Sequence, residues 1–157
     1  MNLEISQALN EYKNGFSRLK KILDSIPENF LKIKLKADIW SIQEYIIHLV
    51  DTEGIYFIRF RKTISENNEK AIGFKQENWA NEMNYLNQDL RIGLNVFEMM
   101  RNSNYALLSN LPEKYWQNKT EHPRFGWLSL LELLKKNNEH VHNHTEKIEY
   151  ISMELRQ

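Results

Sequence analysis

The sequence predicts an all-α protein built as a four-helix bundle, and three observations carry that prediction. Four long stretches repeat apolar residues at alternating steps of three and four, the spacing that lines one face of a helix. Only 5 Gly and 3 Pro punctuate 157 residues, too few for the many turns of a β-sandwich or barrel. Two polar connections separate the second stretch from the third and the third from the fourth, and both exceed the length of an ordinary hairpin loop.

Helix one is expected over Leu3–Ile26, where Leu9, Tyr12, Phe16, Leu19, Leu23 and Ile26 form one stripe that Pro27 ends. Helix two runs from Ser41 to about Ser65 with Ile42, Ile46, Leu49, Tyr56 and Phe60 on its seam. Residues 66–79 read as a connection long enough to cross between parallel neighbours. Helix three is expected over Asn81–Asn110, with Tyr85, Leu94, Phe97, Met100, Leu107 and Leu108 facing the core. Residues 111–127 read as a second loop, unusually aromatic through Tyr115, Trp116, Phe125 and Trp127. Helix four follows over Leu128–Met153, its seam carrying Leu130, Leu134, Asn137, Val141, His144, Ile148 and Ile151. No repeat or second domain interrupts this pattern, so residues 1–157 are expected to form one domain.

Helices two and four open with the same signal. In Ser41-Ile42-Gln43-Glu44 and in Ser129-Leu130-Leu131-Glu132, the serine caps first-turn amides while the glutamate reaches back to the serine amide. Trp40 with Tyr45, and Leu128 with Leu133, supply the matching hydrophobic staples.

Composition narrows function. Lys plus Arg and Asp plus Glu both total 21, so no net field draws the chain to phosphate backbones or anionic lipid, and a nucleic-acid partner is not expected. Cysteine is absent, which removes thiolate nucleophiles, disulfides and sulfur ligands and suits a reducing compartment. The start carries no basic segment followed by an apolar run, and no stretch is long enough to span a bilayer, so a cytoplasmic protein without membrane contact is expected. A chain of this length builds a core without a structural metal, so a metal would serve chemistry.

Ligand chemistry falls to the histidines. His140 and His144 lie one turn apart, about 40° around the helix, while His142 points roughly 200° away from His140. His48 sits on the shoulder of helix two, beside Tyr45, placed to meet that pair across the bundle. Three neutral imidazoles suit zinc, nickel, iron or manganese and leave a coordination position for water or substrate. Spacing alone leaves a second reading open, in which these are hydrogen-bonded core histidines.

Two segments resemble the signatures of the DinB-like (DinB/YfiT) superfamily. Residues 40–59, Trp-Ser-Ile-Gln-Glu-Tyr-Ile-Ile-His-Leu-Val-Asp-Thr-Glu-Gly-Ile-Tyr-Phe-Ile-Arg, match its Trp-Ser, Glu, His-Leu, Asp-x-Glu and later Arg. Residues 122–148, beginning His-Pro-Arg-Phe-Gly and carrying His140-x-x-x-His144 before Ile148, match the second, although Lys147 stands where the family often has Gln. The resemblance extends over essentially the whole chain. It implies an up-down-down-up bundle, a homodimer, and His48, His140 and His144 as metal ligands, with zinc or nickel ahead of iron or manganese.

Around that triad, Glu53 lies on an apolar seam, where it either pairs with Arg59 or acts as general base. Glu44 is an outer acceptor for His48 or, preferably, simply the capping-box partner. His122 either covers the entrance or, preferably, shapes the turn before helix four. Arg124, Tyr115 and Trp116 are substrate contacts only if the aromatic loop faces the site, and a lid on the hydrophobic core is the favoured reading. Asp51 is expected to be solvated. By resemblance the function is that of a metal-dependent hydrolase or thiol S-transferase acting on a small molecule, with a low-molecular-weight thiol as one substrate. The alternative is a non-catalytic metal- or small-ligand-binding, stress-associated bundle.

Overall fold

The computed structural model describes residues 2–157. Among them, four long helices build a bundle: α1 (Leu3–Leu23), α2 (Ile42–Ser65), α4 (Leu90–Ser109) and α5 (Leu130–Glu154), with a short α3 (Gln76–Glu82) between α2 and α4. Contacts along the chain fix the directions. Glu4 meets Lys135 and Ala8 meets Asn138, so α1 and α5 run parallel. Ile47 lies beside Gly93, Glu53 meets Arg101 and Arg61 meets Asn104, so α2 and α4 also run parallel. Across the bundle the order reverses. Phe16 packs on Phe97 while Tyr12 reaches Asn104, and Tyr45 faces His144 while Glu53 reaches Asn137. The bundle is therefore up-down-down-up, with α1, α5, α2 and α4 in order around the ring.

Parallel neighbours require long returns, and both connections are structured. β1 (Glu69–Lys70) pairs in parallel with β2 (Lys119–His122), which pairs antiparallel with β3 (Gly126–Ser129), giving one small sheet in order β1-β2-β3. This corrects the expectation of an irregular aromatic loop over 111–127. Pro123-Arg124-Phe125 makes a three-residue hairpin, and Gly126 at φ 70° supplies the left-handed residue that such a turn requires. Trp116 leaves this segment to pack in the core with Leu130 and Leu134, while Phe125 and Trp127 stay exposed.

The expected third helix is also corrected: it is broken into α3, a 3₁₀ turn over Tyr85–Asn87 and α4. Asn84 adopts the left-handed conformation at φ 49°, and the Asp89 side chain accepts from the Ile92 amide at 2.9 Å, capping a new helix. The break is held from α2. The Gln43 amide donates to the carbonyls of Tyr85, Leu86 and Gln88 at 3.2, 2.7 and 3.0 Å, and the Tyr85 hydroxyl donates to Asp51 at 2.5 Å. Asp51 is thus half-buried and bonded rather than solvated. Both capping boxes form as expected.

A polar cluster lies at the bundle centre. The Glu53 carboxylate accepts from Arg101 Nη1 at 2.9 Å, from Asn104 at 3.1 Å, from Asn137 at 3.3 Å and from the Tyr12 hydroxyl. Arg101 also donates to Asn137 at 3.1 Å and to the Tyr12 carbonyl at 2.5 Å. Gly15 makes room for that reach, because a Cβ there would lie 2.8 Å from Arg101 Nη2. Burial and the neighbouring Glu53 charge push the Tyr12 phenol well above its usual range, keeping it a donor. Arg101, not Arg59, is therefore the partner of Glu53: it stands at the same depth on the adjacent parallel helix, whereas Arg59 turns toward the Ile72 carbonyl. Removing one member of a buried ion pair strands the other charge. Arg101→Met should lower unfolding free energy by about 3–5 kcal/mol in urea titration, and Glu53→Met added to it should cost less than the two single changes summed.

Candidate metal centre

His48 extends from α2 about two turns after the Ser41 cap, and His140 and His144 extend from α5 about three and four turns after the Ser129 cap. The three rings converge. His140 Nε2 lies 3.1 Å from His48 Nε2 and 3.0 Å from His144 Nε2, and Thr52 Oγ1 lies 3.4 Å from His48 Nε2. His48 is buried and the other two are partly so. Trp40, the residue that staples the start of α2, lies across the His48 ring at 5.0 Å between centroids, and Tyr45 lies 5.3 Å from His144. His142 points outward to Glu146, as its angular position predicts.

Nδ1 of each of the three rings is buried without a hydrogen-bond partner. If the ring protons sit on Nδ1, three buried N–H groups lack acceptors and three Nε2 lone pairs converge. If one moves to Nε2, one contact becomes a hydrogen bond but that ring's Nδ1 is left a bare acceptor. No tautomer set satisfies all six nitrogens. A shared cation satisfies the converging lone pairs, and imidazole nitrogens about 2.0–2.1 Å from one ion lie roughly 3 Å apart when they subtend a near-right angle. The residues present fit the group.

Electrostatics point the same way. Burial, followed by charges within the cluster for His48 and His140 and by Lys147 for all three, pushes His48 down to about 3, His140 to about 2 and His144 to about 4, so all three are neutral at neutral pH, the form a metal ion requires.

A cavity of about 380 Å³ opens beside His48 and His140. Thr52, Tyr56 and Arg59 continue its α2 wall below His48, α5 contributes Lys136, Glu139 and Asn143, and the two connections contribute Gly73, Phe74 and His122–Phe125. Of the residues singled out in the sequence besides His48 and His140, His122, Arg124 and Arg59 line this cavity. His122 is buried, its Nδ1 accepts from the Arg124 amide at 3.1 Å, and its ring stacks on Phe125 at 4.8 Å, so it shapes the hairpin as well as facing the site. Burial and the charges of Arg59 and Arg124 bring it down to about 4.

Four other residues stand elsewhere. Tyr115 and Trp116 do not line the cavity, because the 3₁₀ turn at Glu113–Gln117 directs Trp116 into the core. Glu44 is turned to the Ser41 amide at 2.8 Å and to Lys34 at 2.9 Å, which leaves His48 Nδ1 without it. Glu53 lies off the cavity in the Arg101 cluster, which removes the geometry for a general base acting there. Sequence reasoning missed Arg101 and the cavity residues Phe74 and Glu139. Arg101 had a signal, since Phe97, Arg101, Asn104 and Leu108 share one stripe and put a cation on the apolar seam. Phe74 had none, lying in an irregular segment.

A parallel-paired bundle with a three-histidine cluster between its second and last long helices defines a particular class of helical protein. The DinB superfamily model matches residues 11–148, and the chain belongs to that superfamily. A relative from Oceanobacillus iheyensis, named provisionally as a metal-dependent hydrolase, is 24% identical over 129 residues, 82% of this chain and 74% of the relative. A Bacillus cereus relative with the same kind of name is 22% identical over 140 residues, 89% of this chain and 80% of its own. Among solved structures, YfiT from Bacillus subtilis, described by its unusual four-helix bundle topology, superposes with a TM-score of 0.89 at 18% identity, covering 99% of this chain and 90% of YfiT. A mycothiol-dependent maleylpyruvate isomerase superposes with a TM-score of 0.76 at 10% identity, this chain spanning 63% of it. These structures share the fold. No helix among the described residues is long and apolar enough to cross a membrane.

The depressed histidines fix a pH dependence. In the unfolded chain they take up protons near pH 6.5 and in the folded, metal-free protein only below about 4, so between these values the unfolded state binds more protons and stability falls with acidification. The thermal midpoint of chelator-treated protein should fall from pH 7 to pH 5, and a His48→Asn, His140→Asn, His144→Asn variant should show a shallower slope.

Proposed function

We propose that the protein is a metal-dependent enzyme of the DinB superfamily, a hydrolase or thiol S-transferase, with His48, His140 and His144 as the ligands of one divalent ion. The observation that carries this reading is the convergence of three Nε2 atoms, at 3.0 and 3.1 Å from the central one, beside a cavity of small-molecule size. An all-imidazole set suits zinc or nickel first, and iron or manganese after them. When bound, such an ion supplies Lewis acidity, lowering the pKa of a water or thiol at the cavity end of the cluster.

The protein's own residues do the rest. Neutral imidazoles leave the full positive charge of the ion available to the reacting group. Two capped helices hold the rings in register, and Trp40 and Phe74 lie against His48, limiting water on that side. With no cysteine in the chain, the nucleophile comes from outside as water or a thiol substrate. The mycothiol dependence of the structurally similar isomerase supports the thiol alternative. One domain, assembled as a homodimer in the cytoplasm, belongs to the same reading.

Elemental analysis of protein purified without chelators should find close to one equivalent of a divalent transition metal, and His140→Ala should lose it while keeping its helical circular dichroism. Conjugation of low-molecular-weight thiols to electrophiles, and ester or amide hydrolysis, should fall at least 100-fold in that variant. Activity that survives in metal-free protein refutes the assignment. Stoichiometric metal without turnover on either panel indicates a binding bundle instead of an enzyme.

A further inference from the structure

Arg59 is 5% exposed, yet among the described residues no carboxylate lies within ion-pair distance of it. Its Nε and Nη2 both donate to the Ile72 carbonyl, at 3.0 and 2.8 Å, and its guanidinium lies 5.0 Å from the centroid of the Tyr56 ring. These contacts satisfy donors without supplying a counter-charge. A buried cation left so is expensive unless an anion joins it. A role confined to tethering the connection at Ile72 would need donors only, which an uncharged amide side chain also provides.

The position of Arg59 gives that charge a use. His48, Thr52, Tyr56 and Arg59 follow one another down a single face of α2 and line the same cavity. His48 and Arg59 are eleven residues apart, about 16 Å of helix rise. The other charges facing the cavity are Lys136 and Glu139, which pair with each other at 2.7 Å, and the exposed Arg124, which among the described residues has no acidic partner within 4.0 Å. With neutral histidines the cavity therefore carries two uncompensated guanidinium groups, one buried and one at its rim. Phe74 and Phe125 add apolar surface.

We propose that Arg59, with Arg124 at the rim, forms an anion subsite that binds a carboxylate of the substrate, so that the enzyme acts on an elongated acid whose reacting end lies at the histidine cluster. The inference rests on the metal-centre reading only for which end reacts. Guanidinium groups bind carboxylates through paired N–H donors, and burial strengthens such a contact well beyond its worth at the surface. The carboxylate can belong to the thiol or to its electrophilic partner, and the two sources are separable.

The test has two arms. In metal-free protein, binding of 4-phenylbutyrate is compared with that of 4-phenylbutanol by calorimetry. The acid should bind at least tenfold tighter, the preference should fall near unity in Arg59→Gln, shrink in Arg124→Ala and be partly retained in Arg59→Lys. Equal binding of acid and alcohol, or an Arg59→Gln preference as large as that of the native protein, overturns the subsite. Should Arg59→Gln fail to fold, the native preference and its change in Arg59→Lys and Arg124→Ala decide instead. In cobalt-loaded protein, the absorption bands of the metal report thiol binding for ω-mercapto acids against ω-mercapto alcohols of equal length. An acid advantage that grows with chain length and depends on Arg59 assigns the carboxylate to the thiol. No such advantage, with the first arm positive, assigns it to the electrophile. Failure of cobalt to bind, with the first arm positive, refutes the metal-centre reading and leaves the anion subsite standing.

Discussion

The buried contact between Glu53 and Arg101 is the constraint on which the rest of this structure depends. With Tyr12, Asn104 and Asn137 it gathers one or more groups from each of the four long helices into a single polar cluster, where every partner lost leaves a desolvated charge or dipole behind. Apolar seams alone tolerate sliding, because leucine and isoleucine contacts are non-directional. A carboxylate that accepts from three helices does not. Glu53 stands five residues after His48, and Asn137 three before His140, so the same contact that joins α2 to α5 sets the register in which the two histidines meet. A slip of one residue in either helix would rotate its ring by about 100° and shift it by about 1.5 Å.

Rigidity at the helix starts complements this register. Each histidine-bearing helix begins in a reciprocal serine–glutamate cap, and the aromatic residue that precedes the first cap rests on His48 itself. Local capping, long-range polar contact and ring convergence thus act on the same few turns. The unpartnered Nδ1 atoms of the three imidazoles thus lie between elements held by capping and by polar contact rather than on a free-standing loop.

The bundle was legible in the sequence because its signals are periodic and local. Apolar spacing located the four long helices, the two serine–glutamate pairs located two of their starts, and a one-turn separation placed His140 and His144 on one face while sending His142 outward. What periodicity could not show is which polar residue on one seam meets which on another. Glu53 alone stands out on its seam, Arg101 goes unread until the helices are placed side by side, and the nearer Arg59 is the obvious partner only along the chain. The break before α4 escaped for a related reason: Asn84 and Asp89 act through single dihedral and capping choices, and the side chain that holds the break, Gln43, comes from another helix. The aromatic connection hid three different fates, with Trp116 in the core, Phe125 on the cavity wall and Trp127 at the surface.

The small sheet changes what the two connections are. Because β1 and β2 pair, the segment carrying Phe74 and the hairpin carrying His122 and Arg124 are laced into one plate that walls the cavity beside the histidines. The plate adds Phe74, Arg124 and Phe125 to the cavity wall that Thr52, Tyr56 and Arg59 supply from α2. Exchanges in the plate would therefore reshape one wall of the cavity without touching the Glu53–Arg101 contact or the helices that carry the three histidines.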